Sequence, residues 1–439
     1  MAPPVATSPP STPSLASAIP HTTTGQESSI NAFHHLHLYV SNAKIFSGYL
    51  CSHMGFTPYA YRGFETGSRH IGSHVVRNNN IVLILSSPLK APTALNFTLN
   101  ERQRSCLETY IEEDMNAVDE KGNPITAEER ELRRITAHLV KHGDAVYDVA
   151  FQVDDCATTY NHAVQNGAIS VQKPITHRDE FGSVTTATIR TYGDTVHTLI
   201  QAEGKYKSQE GCFLPGYKLK GPEAKVWEQI TELQVVDHCV GNMDWDGMDE
   251  ACDFYAKTLN FHRFWSIDDA TLATEFSSLS STVMASSNEK VKMPINEPAV
   301  GKKKSQIEEY VEYNGNTPGV QHIALRTNDI VSTVSKMKQR GVEFIQIPEV
   351  YYEVLQDRLK SEGCENMVTE DWAMVKKLGI MVDFDKGGYL LQLFTKPLMD
   401  RPTVFIEIIQ RHNFEGFGAG NFKSLFQAIE REQAARGNL

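Results

Sequence analysis

Val235-Val236-Asp237-His238-Cys239-Val240 and Val320-Gln321-His322-Ile323-Ala324-Leu325 read as the same short strand written twice. Each shows the period-two alternation of a partly buried strand, with a histidine at the same place. Two earlier segments share the pattern: Phe33-His34-His35-Leu36-His37-Leu38-Tyr39-Val40 and Val146-Tyr147-Asp148-Val149-Ala150-Phe151-Gln152-Val153. After each comes a helix-like stretch, over 43–54, 156–165, 248–259 and 329–339, ending near Gly or Asn as helices tend to. Further strand-like pieces follow, such as 80–85, 185–191, 281–285 and 389–394. The unit reads βαβββ, four times, in two pairs. The expected fold is therefore α+β: two tandem domains of paired βαβββ modules, each an open half-barrel, with a C-terminal helix over the second.

The boundaries follow from composition. Residues 1–30 are rich in Pro, Ser, Thr and Ala and hold no Lys or Arg, which predicts a disordered tail and neither a transit peptide nor a secretory signal. Residues 31–205 make the first domain, 206–232 a linker, and 233–439 the second domain with its capping helix. The stretch Ala91–His142 interrupts the first module and reads as a charged, helix-prone insertion. A net charge of −12 with no dense basic cluster argues against nucleic acid as a partner. No run of about 18 apolar residues predicts a membrane span. Seven scattered cysteines, none in a C-x-x-C pair, suit free thiols in the reducing cytosol.

Chemistry enters with the strand Thr403-Val404-Phe405-Ile406-Glu407-Ile408-Ile409. Glu407 shares a face with Phe405 and Ile409, and an unpaired carboxylate there would cost several kcal/mol of desolvation. It needs a cation, and the strand itself holds none, although Arg411 follows. His238 and His322 alone would read as ordinary core histidines. The repeat changes that reading, because His238, His322 and Glu407 recur at nearly equal intervals and equivalent strands bring them to a common interior. Two His and one carboxylate on one side of a metal leave open positions on the other, a set suited to non-haem Fe(II). Zn²⁺ and Mn²⁺ accept the same ligands. The first domain serves as a control: laying strand over strand puts His35 opposite His238, Asp148 opposite His322, and Leu199 opposite Glu407. The cluster of His34, His35 and His37 lacks a carboxylate partner and reads as structural.

Around the three ligands lie Gln392, Asn296, Gln306 and Ser281, neutral groups suited to a polar, uncharged substrate feature such as a phenol. Each taken singly reads as a solvated or turn residue. Gln321 adjoins His322 but should point to the opposite face of its strand unless the strand twists. Phe394, Phe405, Phe417 and Phe422 can stack on an aromatic ring or simply fill the core.

From these residues the chain resembles the 4-hydroxyphenylpyruvate dioxygenases of the vicinal oxygen chelate superfamily. The resemblance covers roughly residues 30–435 and rests on a set of strings. They are 236–242 (VDHCVGN), 294–298 (PINEP), 304–307 (KSQI), 319–325 (GVQHIAL), 392–397 (QLFTKP), 401–411 (RPTVFIEIIQR) and 416–422 (GFGAGNF). It implies one Fe(II) per subunit at His238, His322 and Glu407. It also implies substrate contacts from Ser281, Asn296, Gln306, Gln321 and Gln392 and ring stacking by Phe394 and Phe422, with Asn421 and Phe426 on the matching terminal helix. Phe405, Phe417 and Asn421 complete the expected substrate-binding set. It implies oxidative decarboxylation, ring hydroxylation and side-chain migration, giving homogentisate in tyrosine and phenylalanine catabolism, by a cytosolic homodimer. The substrates are 4-hydroxyphenylpyruvate and O₂, with no external 2-oxoglutarate. No general base is implied. A 4-hydroxymandelate synthase would use the same iron and substrate, an extradiol dioxygenase the same ligand types, and a non-catalytic ligand-binding protein the same repeats without the metal ligands.

Overall fold

The computed structural model describes residues 29–91, 124–208, 211–221, 229–267 and 278–438. Most of the expected tail, most of the 91–142 insertion and parts of the linker lie outside these residues. The first sheet contains β1 (Ile30–Tyr39), β2 (Thr57–Arg62), β3 (Ile71–Asn78), β4 (Ile81–Pro88), β5 (Ala145–Val153), β6 (Ser170–Asp179), β7 (Gly182–Arg190), β8 (Val196–Gly204) and β9 (Lys218–Leu219). The second contains β10 (Leu233–Asn242), β11 (His262–Ile267), β12 (Ser278–Ala285), β13 (Lys292–Ala299), β14 (Gly319–Thr327), β15 (Met381–Phe384), β16 (Tyr389–Phe394) and β17 (Phe405–His412).

The two sheets have one topology. The first runs β6-β7-β8-β5-β1-β4-β3-β2-β9 and the second β11-β12-β13-β10-β14-β17-β16-β15. In each, the opening strands of two modules pair antiparallel at the centre (β1 with β5, β10 with β14), and each pairs parallel with the last strand of its own module. The sheets curl as half-barrels of mixed strands with helices outside, the α+β architecture expected from the repeat. Alternation sorts the faces: Leu36, Leu38, Val149, Ile323, Leu325, Ile406 and Ile408 join the apolar core. His35, His37, Asp148, His238, His322 and Glu407 stand on the other, concave side.

The module helices form where the spacing predicts. Ala43–Met54, Cys156–Gln165 and Ile330–Gln339 each begin after an Asn or Asp whose side chain accepts from a first-turn N–H. Asp329, expected as the first helical residue, is that cap. Met248–Leu259 has Gly247 at the same place and no side-chain cap. The first helix stops at Gly55 in the left-handed region and the third at Asn260, also left-handed.

Three features depart from the simple repeat. The last module carries two extra helices, Glu349–Ser361 and Trp372–Leu378, between its own helix and β15. The stretch expected as a linker supplies β9, which extends the edge at β2, and Phe213, which packs inside the first half-barrel against His34 and His35. The third is a correction. Register pairs Phe151 with Leu199 and Asp148 with Val196, which sets Thr198 beside Ala150. In the second sheet Glu407 pairs with Ala324 and Phe405 with His322. The counterpart of Glu407 is therefore Thr198 and not Leu199, which is fully buried on the core side.

Candidate metal centre

Three strands meet at the proposed ligands. His238 Nε2 lies 3.2 Å and His322 Nε2 3.3 Å from the same oxygen, Oε2 of Glu407. Each residue offers one donor atom, and these atoms all lie within 4.8 Å of one another. Glu407 and His238 are buried. Burial pushes the Glu407 carboxyl upward, but the two imidazoles outweigh it and hold the group at about 2. Burial likewise drives His238 down, and there Glu407 and Asp237 win, so its net shift is upward. For His322 burial prevails and the shift is downward.

Each imidazole is held from behind by the residue that precedes it. His238 Nδ1 lies 2.8 Å from Asp237 Oδ1, and His322 Nδ1 lies 3.0 Å from Gln321 Oε1. Neighbours in a regular strand point to opposite faces, so this needs a cause, and the register supplies it. Val236 pairs with Leu325 but His238 with Ala324, leaving Asp237 as an extra residue in β10. Val240 pairs with His322 but Gly241 with Val320, leaving Gln321 extra in β14. Each is a β-bulge, which re-aims side chains. The expectation that Gln321 faces away fails for this reason. An ionised carboxylate only accepts, so His238 Nδ1 carries a hydrogen toward Asp237, which leaves Nε2 as the ring nitrogen placed to bind a metal. The acceptor Oε1 of Gln321 does the same for His322.

The nearby cation, Arg411, is not the partner Glu407 lacks. It is spent on Asp237, with Nε and Nη2 each donating at 2.9 Å. Burial alone would raise Asp237, and this pair holds it far below the usual carboxylate range. Two imidazole Nε2 atoms therefore converge on one buried carboxylate, and this donor set fits a divalent cation.

Gln392 Nε2 donates to the other carboxylate oxygen, Oε1 of Glu407, at 3.3 Å. Gln392 Oε1 accepts from Asn421 Nδ2 at 3.2 Å, and Asn421 Oδ1 accepts from Tyr351 at 2.7 Å. A Cβ added at Gly418 would collide with Gln392 Oε1, and its φ of +79° also favours glycine. The predicted aromatics line the walls. Phe405 stacks on His322 with centroids 4.9 Å apart, Phe394 meets it edge-on at 5.8 Å, and Phe417 meets His238 edge-on at 5.1 Å. Gln306 opens the helix Gln306–Tyr313 and borders one pocket with Gln321, Phe394 and Phe405. Ser281 and Asn296 face each other across β12 and β13, and Asn296 Nδ2 donates to Asn242 Oδ1 at 3.3 Å. No interaction of Ser281 or Asn296 with the three ligands is among those described. Phe422 begins the C-terminal helix Phe422–Arg436, but its side chain, like that of Phe426, lies outside the described residues.

Asp237, Asn242, Tyr351 and Arg411 were not foreseen as site residues. A signal existed for two: an acid directly before a candidate ligand, and an arginine ending an apolar strand.

Known proteins agree with this architecture. Residues 236–393 match the family model of the Glyoxalase/Bleomycin resistance protein/Dioxygenase superfamily. A solved triple mutant of 4-hydroxymandelate synthase from Streptomyces coelicolor superposes with a TM-score of 0.72 at 24% identity, over 92% of this chain and 99% of that one, a likeness of fold. The 4-hydroxyphenylpyruvate dioxygenase of Aspergillus fumigatus is 52% identical over 99% of this chain and 98% of its own length. That of Yarrowia lipolytica is 51% identical over 97% and 100%. Identity at that level, end to end, makes this chain a member of the 4-hydroxyphenylpyruvate dioxygenase family.

Proposed function

We propose that the chain is an Fe(II)-dependent dioxygenase that converts 4-hydroxyphenylpyruvate and O₂ to homogentisate and CO₂. The observation that carries this reading is the buried Glu407 carboxylate facing two imidazole Nε2 atoms, with the nearby arginine already committed elsewhere. His238, His322 and Glu407 would hold the iron. When bound, iron supplies open coordination positions for the substrate's own 2-oxo acid and for O₂, and the electrons that activate O₂.

The protein's part is position and dryness. Asp237 and Gln321 keep the hydrogens of both imidazoles on Nδ1, so each Nε2 stays a ligand through the cycle. Phe394, Phe405 and Phe417 exclude water and offer flat faces to the substrate ring. Gln392, held between Glu407 and Asn421, presents a fixed amide, and Gln306, Ser281 and Asn296 supply neutral polar groups for the phenol or the acid end. No side chain is needed as a general base. The same reading includes a homodimer in the cytosol. The described cysteines are all buried free thiols, which suits a reducing compartment, and no described helix is long and apolar enough to cross a membrane.

The test is anaerobic reconstitution with Fe(II), then product analysis with 4-hydroxyphenylpyruvate under O₂. Homogentisate and CO₂ in equal amounts are expected. 4-Hydroxymandelate would overturn the choice of reaction. Turnover of a catechol without CO₂ release would overturn the substrate class.

A further inference from the structure

Arg411 is buried, at 9% exposure, and its guanidinium bonds in two directions. Toward the metal centre it forks onto Asp237, which holds His238 Nδ1. Toward the C-terminus, Nη1 donates to the carbonyl of Phe414 at 3.1 Å and to that of Gly416 at 2.5 Å. The guanidinium carbon also stands 5.2 Å from the centre of the Phe417 ring, which packs edge-on against His238. His238 is thus held through its nitrogen by Asp237 and through its ring by Phe417, and both holds converge on Arg411. A lysine offers one point charge and cannot reproduce a planar fork that serves a carboxylate and two carbonyls together.

We propose that Arg411 is a positioning residue that couples segment 413–418 to the metal-binding imidazole. Order in the segment sets the orientation of His238 and so the affinity for metal. By reciprocity, metal binding orders the segment. This rests on the reading that His238 is a metal ligand.

The experiment uses the full-length metal-free protein and Co(II) as the probe. Calorimetry measures affinity, the visible Co(II) spectrum reports the ligand field, and hydrogen exchange reports amides 413–418 with and without Co(II). In the native chain Co(II) should slow exchange across the segment. In Arg411→Lys, affinity should fall about 10–100-fold, the spectrum should shift, and Co(II) should no longer slow that exchange. Asp237→Asn should lose similar affinity, while Arg411 still caps Phe414 and Gly416 and the metal-free segment exchanges as in the native chain. A native chain that binds no Co(II) would refute the underlying metal reading. Native binding with no change in exchange at 413–418 would overturn the coupling without any variant. Native-like affinity in Arg411→Lys or in Asp237→Asn would overturn it as well.

Discussion

The two half-barrels of this chain share topology, register and even bulges, yet among the described residues only the second gathers a set that could hold a metal. In the first sheet His34 is the extra residue before His35, and Tyr147 the extra residue before Asp148. They occupy the places of Asp237 before His238 and Gln321 before His322. Thr198 stands where Glu407 does. The polar groups of the first interior satisfy one another. The Thr198 N–H and hydroxyl both donate to Asp148, at 2.9 and 2.5 Å, and His34 and His35 share a bond between their Nδ1 atoms at 2.8 Å. Burial holds His34 down at about 4 and also lowers His35 well below its ordinary value, with His34 and His37 adding to the effect. Phe213 fills the space beside them. The fold thus supplies inward positions with bulges behind them. A metal-ligand set is formed where those positions hold two imidazoles and a carboxylate whose donor atoms converge on one point.

The largest effect should come from erasing that difference. Glu407→Thr gives the second sheet the residue of the first. Metal affinity should fall by more than about 100-fold and turnover should vanish, with the far-ultraviolet circular dichroism unchanged. His322→Ala should do the same, and retained turnover in either variant would break the assignment.

Next is the support behind the second imidazole. Gln321→Leu removes the acceptor at His322 Nδ1, frees the tautomer and should weaken metal binding about 10-fold, read by calorimetry on the metal-free protein. The close approach at Gly418 gives a comparable loss of another kind. Gly418→Ala pushes Gln392 aside and strains a left-handed residue by about 1 kcal/mol. The KM for 4-hydroxyphenylpyruvate should rise about 10-fold while metal stoichiometry stays at the native value.

The comparison also separates what the sequence discloses from what it hides. Alternation and spacing are local, so the four modules, their helices and the three residues that converge, His238, His322 and Glu407, are legible. Bulges are not local. Whether Asp237 or Gln321 is an extra residue depends on how β10 pairs with β14, and neither strand states that alone. This is why the sequence reading turns Gln321 away. It sets Leu199 opposite Glu407, one residue from Thr198, because the unbroken parallel register of β5 with β8 is likewise written in neither strand alone. The helices Glu349–Ser361 and Trp372–Leu378 were missed for a related reason, since they interrupt the last module rather than continue its pattern. Phe213 sits in a Gly- and Pro-containing stretch that reads as a connection, and only the packed structure makes it a plug.

The smallest effect belongs to the first sheet. Burial raises the Asp148 carboxyl from 3.8 to about 7 despite its bonds from Thr198. Below the unfolded value both states hold the proton and the folded state keeps its full stability. As pH rises toward and through the folded value, the folded state must retain a proton the unfolded chain has released, or bury a charge, and stability is lost. Asp148→Asn should flatten the dependence of unfolding free energy on pH over that window, measured by urea titration, by at most a few kcal/mol.

The central claim is that one metal binds per chain, in the second half-barrel only. Anomalous diffraction at the iron edge from anaerobically loaded crystals tests it most directly. The prediction is a single peak within bonding distance of His238 Nε2, His322 Nε2 and a Glu407 oxygen, and none beside His35 and Asp148. A peak in the first half-barrel, or none at these three residues, would contradict it.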